Sequence, residues 1–144
     1  MYPQAHDDYF KARDQIREKL GNEWLPLLIA IDGAFGAGKS GLASWLAWQL
    51  NMATIHLDLY LLEGRRWRIS ELRNAIDARI KRTSRRLPVI VEGVLVLEAL
   101  RQANFQHDFF IFVENPAQND PEDNDHELRN NFSRCREVAD CVVR

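Results

Sequence analysis

The chain has little cysteine, no excess of positive charge and no long apolar run, and each absence removes a class of protein. Two cysteines, Cys135 and Cys141, match neither a disulfide framework nor the ligand spacing of a zinc site. They fit a reducing compartment and read as two small buried apolar side chains. A net charge of -2 offers no general attraction for nucleic acid or an anionic membrane, although a small anion needs only a local positive site. The longest apolar runs, such as Leu25 to Ile31, fall far below the ~20 residues of a membrane-crossing helix. The opening stretch, MYPQAHDDYFKARD, is too polar and acidic for a secretory signal, so a cytoplasmic location is expected.

What is present is a globular composition, 46% hydrophobic and 28% charged over 144 residues. That is enough for one compact domain, 1–144, and too few for two of ordinary size. Helical and strand patterns alternate along it. Asp7 to Leu20 reads as a helix with Gly21 at its C′ position. Leu27 to Asp32 is a branched, apolar strand. Lys39 to Leu50 carries Leu42, Leu46 and Leu50 four apart, a helix with one buried stripe that Trp45 and Trp48 are expected to widen. Met52 to Leu57 is a second strand, followed by a charged loop from Glu63 to Arg68. Ser70 caps a helix running to about Thr83, with Leu72, Ile76 and Ile80 on one face. Pro88 opens a third strand, Val89 to Glu92. A helix from Val94 to Gln102 and a fourth strand, Phe109 to Val113, follow. Glu114 to Asp125 (ENPAQNDPEDND) is an acidic stretch of turn formers and reads as a mobile loop. A helix from Glu127 to Arg136 and a short strand, Val138 to Val143, complete the chain. Strands apolar on both faces, alternating with helices, predict a parallel sheet covered on both sides.

The chemistry is concentrated in Gly33 to Ser40, GAFGAGKS, which satisfies G-x-x-x-x-G-K-[ST] between a strand and a helix. Gly33, Gly36 and Gly38 let the backbone curl so that successive N–H groups face phosphate oxygens. The N-terminus of the following helix adds its positive dipole end. Lys39 reaches the outer phosphates, and the Ser40 hydroxyl is a natural magnesium ligand. The whole loop, including Ala34, Phe35 and Ala37 and extending to Gly41, is therefore assigned to the nucleotide.

In a parallel sheet, ligands bind outside the carboxyl ends of the strands. Asp58 stands just past the second strand, at the same edge, and can accept the proton of a hydroxyl attacking the outer phosphate. His56, two residues earlier, is read as a half-buried histidine that can pack beside Asp58. Glu92 ends the third strand at the same edge, where it can hold magnesium through water or meet the acceptor. Two groups of arginines, Arg65, Arg66 and Arg68, then Arg129, Arg134 and Arg136, can clamp phosphates or simply face solvent.

IAIDGAFGAGKSGLASWLA, HLDLY, PVIVEGVLVLEAL and DFFIFV occur in the order of the signatures of the uridine kinase family of P-loop kinases. The chain resembles that family over roughly Leu27 to Val113. The resemblance implies a three-layer αβα P-loop NTPase fold with strand order 2-3-1-4-5, with ATP and Mg2+ as cofactors. It implies a kinase that transfers the γ-phosphoryl group to a hydroxyl of a nucleoside-like or other small metabolite. Asp58 matches the aspartate that activates the acceptor hydroxyl, with Tyr60 completing its D-x-F/Y context. Lys39 and Ser40 match the phosphate and magnesium groups, and Glu92 matches the glutamate of the EG turn. Gly41 stands where the family often has a second hydroxyl residue. In place of an arginine-dense lid, only Arg129, Arg134 and Arg136 follow the acidic loop, so the lid, about 114–136, is reduced. A small-molecule phosphate acceptor is the expected partner, with no nucleic acid and no membrane. A hydrolytic P-loop switch and a nucleotide-binding module without turnover are the alternative readings.

Overall fold

The protein is described by a computed structural model covering residues 5–34, 36–64, 66–81, 85–114 and 126–144, with side chains from residue 7 and, in the last segment, from residue 127. Five strands form the main sheet: β1 Leu28–Gly33, β2 Ala53–His56, β3 Val89–Glu92, β4 Phe109–Val113 and β5 Cys141–Val143. Their order is β2-β3-β1-β4-β5, the 2-3-1-4-5 order that the resemblance implies, and every pairing is parallel. Five helices surround it: α1 Ala5–Leu20, α2 Lys39–Leu50, α3 Ile69–Ile80, α4 Val96–Gln102 and α5 His126–Val138.

The strands are buried on both sides because alternate residues feed two separate cores. Leu28, Ala30, Val89, Val91, Phe110 and Phe112 point to the layer of α3, α4 and α5, meeting Leu72, Ile76, Leu100 and Phe132. Ile29, Ile31, Ile90, Ile111 and Val113 point the other way, to α1 and α2, meeting Ile16, Leu20, Leu42 and Leu46. The register sets the carboxyl ends of β1, β2 and β3 side by side, with Ile31 opposite Glu92 and His56 opposite Glu92.

Four local expectations change. Helix α3 starts at Ile69 with Arg68 as its N-cap and no side-chain capping bond, so Ser70 is a first-turn residue rather than the cap. The stretch from Glu63 to Arg68 is more than a charged loop, because Leu61–Leu62 pairs antiparallel with Arg66–Trp67, Leu61 opposite Trp67. That pairing puts two large apolar side chains across from each other, the unit that stabilises a ribbon. Helix α4 starts at Val96 rather than Val94, because Leu95 sits in the left-handed region at φ 60, a conformation no helical residue can hold. Trp48 is 76% exposed and does not widen the α2 stripe. Only Trp45 does so, with its ring 5.4 Å from Tyr9 and 5.5 Å from Phe10. Thr83 and the acidic loop at 115–125 lie outside the described residues. No helix among the described residues is long and apolar enough to cross a membrane.

Candidate functional site

The P-loop is shaped by what its glycines permit. β1 runs against β4 so closely that a Cβ on Gly33 would lie 2.6 Å from the Val113 carbonyl oxygen, closer than real Cβ atoms come. Gly38 takes φ 99 and serves as the N-cap of α2, turning the chain into the helix where a side chain would be strained. The first-turn N–H groups of α2 have no acceptor within the helix and open onto the loop, together with the positive end of its dipole. Lys39 curls over the loop and donates from Nζ to the Ala34 carbonyl at 2.9 Å, and the Ala37 amide donates to the same oxygen at 3.1 Å. The loop thus holds its own curl before any phosphate arrives. Gly41 has open space around it, so the hydroxyl residue of the resembling family would fit there. Phe35 lies outside the described residues.

Beside the loop, Ser40 Oγ donates to Glu92 Oε1 at 3.0 Å, and His56 Nδ1 is 2.7 Å from the same oxygen. His56 is therefore the partner of Glu92 rather than of Asp58, since the parallel register sets β2 and β3 residues of equal depth side by side. The Ser40 hydroxyl and the Glu92 carboxylate, two hard oxygen donors converging at the mouth of the P-loop, suit magnesium. That ion commonly takes one or two protein oxygens and completes its shell with water and phosphate. Among the described residues no group of three or more His, Cys, Asp or Glu side chains forms a cage for a metal, so the phosphates would have to share the ion.

A cavity of about 260 Å³ joins these groups to Asp58. It is lined by Gly36, Lys39 and Ser40 of the P-loop, by Leu57, Asp58, Leu61 and Trp67 after β2, by Glu92 to Leu95 after β3, and by Leu128 of α5. Asp58 sits in the short 3-10 helix Leu57–Tyr60 and is exposed, free to meet an incoming ligand. A Cβ on Gly93 would lie 2.5 Å from the Leu57 Cβ, so the absent side chain lets the two loops meet and close the floor. Tyr60 packs against the core on the α3 side, and its carbonyl accepts from the Arg68 amide at 2.7 Å.

Among the described residues, the arginines do not gather at this cavity. Arg66 Nε donates to the Glu63 carbonyl, and Arg68 pairs with Glu71 at 3.6 Å. Arg136 pairs with Glu114 and lies over the Phe112 ring. Arg129 and Arg134 are carried on α5 without lining the cavity. Arg65 lies outside the described residues.

The sequence reading missed Asp32. It is fully buried at the end of β1 and accepts from the Gly33 amide at 2.7 Å, the Val96 amide at 3.3 Å, Asn131 Nδ2 at 3.4 Å and Cys135 Sγ at 3.7 Å. One carboxyl therefore ties the start of the P-loop, the start of α4 beside strained Leu95, and α5. Burial pushes it from 3.8 up to about 6, against the pull of the Gly33 amide, Asn131, the Lys39 charge and the Val96 amide. Cys135 is buried as expected, but it also faces Asp32, and burial followed by that neighbouring carboxylate pushes its thiol up to about 12. The available signal was an acid ending an otherwise apolar strand, LLIAID, in a register where its neighbours are all inside.

No protein-family model matches the chain, and no curated protein matches it. A solved structure described as that of a possible uridine kinase from Bacillus stearothermophilus superposes on it with a TM-score of 0.68 over 96% of this chain and 98% of the other. The two are 16% identical, so the likeness is one of fold: a parallel α/β sheet flanked by helices.

Proposed function

We propose that this chain is an ATP-dependent kinase that transfers the γ-phosphoryl group to a hydroxyl of a small molecule. The observation that carries the reading is that the P-loop and Asp58 open onto one cavity of about 260 Å³ at the carboxyl edge of the sheet. The loop amides, the α2 N-terminus and Lys39 hold the phosphates, and Ser40 with Glu92 would hold magnesium. When bound, that ion neutralises charge on the outer phosphates. The acceptor oxygen forms a bond to the γ-phosphorus as the bridging P–O bond to ADP breaks. Asp58 orients the hydroxyl and takes its proton. The protein's share of the barrier is positioning and charge stabilisation, with general-base help worth about 10²–10⁴-fold. The likeness in fold to a possible uridine kinase supports a nucleoside or another small hydroxyl compound as acceptor.

Water is the competing nucleophile, and the exposure of Asp58 favours some hydrolysis when no acceptor is present. The test is ADP release from magnesium-ATP with and without a panel of hydroxyl compounds, against Lys39→Ala as background. The proposal expects a phosphorylated acceptor formed in equal amount to ADP. ADP formed at one rate whatever is added identifies a hydrolase. ATP that binds without any loss across the panel identifies a binding module.

A further inference from the structure

The walls of the cavity say more about the acceptor than the phosphate site does. Four of its lining side chains are polar: Lys39, Ser40, Asp58 and Glu92. Lys39 and Ser40 belong to the P-loop, and Glu92 is bonded to Ser40 and His56, so three of the four are committed to phosphate and metal. That leaves Asp58 as the polar side chain for the acceptor among the described residues. Besides Gly36 and Gly93, the rest of the wall among the described residues is Leu57, Leu61, Trp67, Val94, Leu95 and Leu128. These come from three separate segments, and Asp32 joins the segments of Leu95 and Leu128 through Val96 and Asn131. Leu61 lines the cavity while still 50% exposed, as expected of a wall residue that a ligand would cover.

We infer that the acceptor is a monohydroxylic or sparsely hydroxylated alcohol carried on an apolar body, aromatic or branched aliphatic, rather than a sugar or a nucleoside. This rests on the kinase reading above and narrows it to a substrate class. One carboxylate serves one hydroxyl, and six apolar side chains serve the remainder of the molecule. A sugar placed there would set several hydroxyls against leucine and tryptophan, and each hydroxyl buried without a partner opposes binding. An apolar body gains by covering Leu61 and Val94, the apolar lining side chains left partly exposed, as ligands do in pockets with apolar walls and a few placed polar groups. In transfer, the alcohol oxygen bonds to the γ-phosphorus, its proton passes to Asp58, and ADP leaves with the bridging oxygen.

Two-dimensional amide NMR on the full chain tests this apart from turnover. ATP titrated with magnesium should move the amides of Gly36 to Ser40. 2-Phenylethanol and 3-methylbutan-1-ol, added to the protein saturated with magnesium and the non-transferable imido analogue of ATP, should move the amides of Gly93, Val94 and Leu95. D-ribose should not move them, and uridine should do so only at higher concentration than either alcohol. Leu61→Asn, at a half-exposed position where folding is safe, should weaken the two alcohols about three- to tenfold and leave the ATP titration unchanged. Uridine or ribose binding as tightly as the alcohols overturns the inference. So do alcohols that leave these amides unmoved up to their solubility limit, or bind Leu61→Asn as they bind the parent. A P-loop that ignores ATP overturns the kinase reading itself, a separate result.

Discussion

The two ends of the cleft are built in opposite ways. The proposed phosphate end is local: eight consecutive residues, Gly33 to Ser40, shaped by backbone and by glycines that allow φ 99 at Gly38 and close packing of Gly33 against Val113. The proposed acceptor end is assembled from Leu57, Asp58, Leu61 and Trp67, from Gly93 to Leu95 and from Leu128, and its character lies in side chains. Backbone chemistry binds phosphate whatever the substrate, so it repeats as a motif. Side-chain walls are cut to one ligand, so they do not. Asp32 is the tie between the ends, through Gly33 on one side and Val96 and Asn131 on the other.

The largest effect should come from separating the ends at Asp58. Asp58→Asn keeps the shape and removes the base, so steady-state turnover should fall about 10²–10⁴-fold. Nucleotide affinity, measured by calorimetry on the same preparation, should stay close to that of the parent because the loop is untouched. If affinity for magnesium-ATP falls with turnover, Asp58 belongs to the phosphate end, and the division drawn here is wrong.

The tie itself should be visible in pH. Asp32 binds its proton more tightly folded than unfolded, so its stabilisation is complete below about pH 4 and is lost as pH rises through about 6. The rise from 3.8 to about 6 corresponds to about 3 kcal/mol. In urea unfolding, the stability of the parent relative to Asp32→Asn should therefore fall by up to that amount between about pH 4 and 6. Parallel curves for the two proteins would mean that this carboxyl does not titrate in that window.

Gly33→Ala attacks the phosphate end through packing. Its Cβ would meet the Val113 carbonyl at 2.6 Å, and overpacking of that kind costs about 1–3 kcal/mol. Thermal unfolding should register the loss, and ATP affinity should fall because the loop must shift. Unchanged melting and affinity would show that β1 and β4 have room to spare. The smallest effect belongs to a position outside both ends. Trp48, 76% exposed on α2, should accept Gln with a change within about 0.5 kcal/mol and no change in nucleotide binding. A larger loss would mean that the α2 surface is covered in solution.

Much of this contrast explains what was legible in the sequence. The alternation of apolar strands and periodic helices, with Leu42, Leu46 and Leu50 as one example, carried the layered parallel sheet, because strands apolar on both faces need cover on both sides, while the strand order came from the family resemblance alone. GAFGAGKS made the expected phosphate loop readable for the same local reason, since its glycines and lysine are consecutive. Asp32 was not legible, since its role depends on Asn131 and Cys135, about a hundred residues away. His56 is half-buried as expected, and its partner is Glu92 rather than Asp58 because the parallel register sets it opposite Glu92. Trp48 was misread because a tryptophan was taken as packing by type, while the stripe at 42, 46 and 50 already faced the core. The apolar wall was invisible because Leu57, Val94 and Leu128 look like any core residues until the fold brings them to one cavity.

The central claim is that the loop from Gly33 to Ser40 holds the phosphates of a nucleoside triphosphate. Calorimetric titration of magnesium-ATP into the parent and into Lys39→Ala tests it most directly. Loss of a charge-assisted contact to phosphate costs about 1.5–3 kcal/mol, so the variant should bind about ten- to over a hundredfold more weakly than the parent. Equal affinity in the two proteins, or no binding heat from the parent, would contradict it.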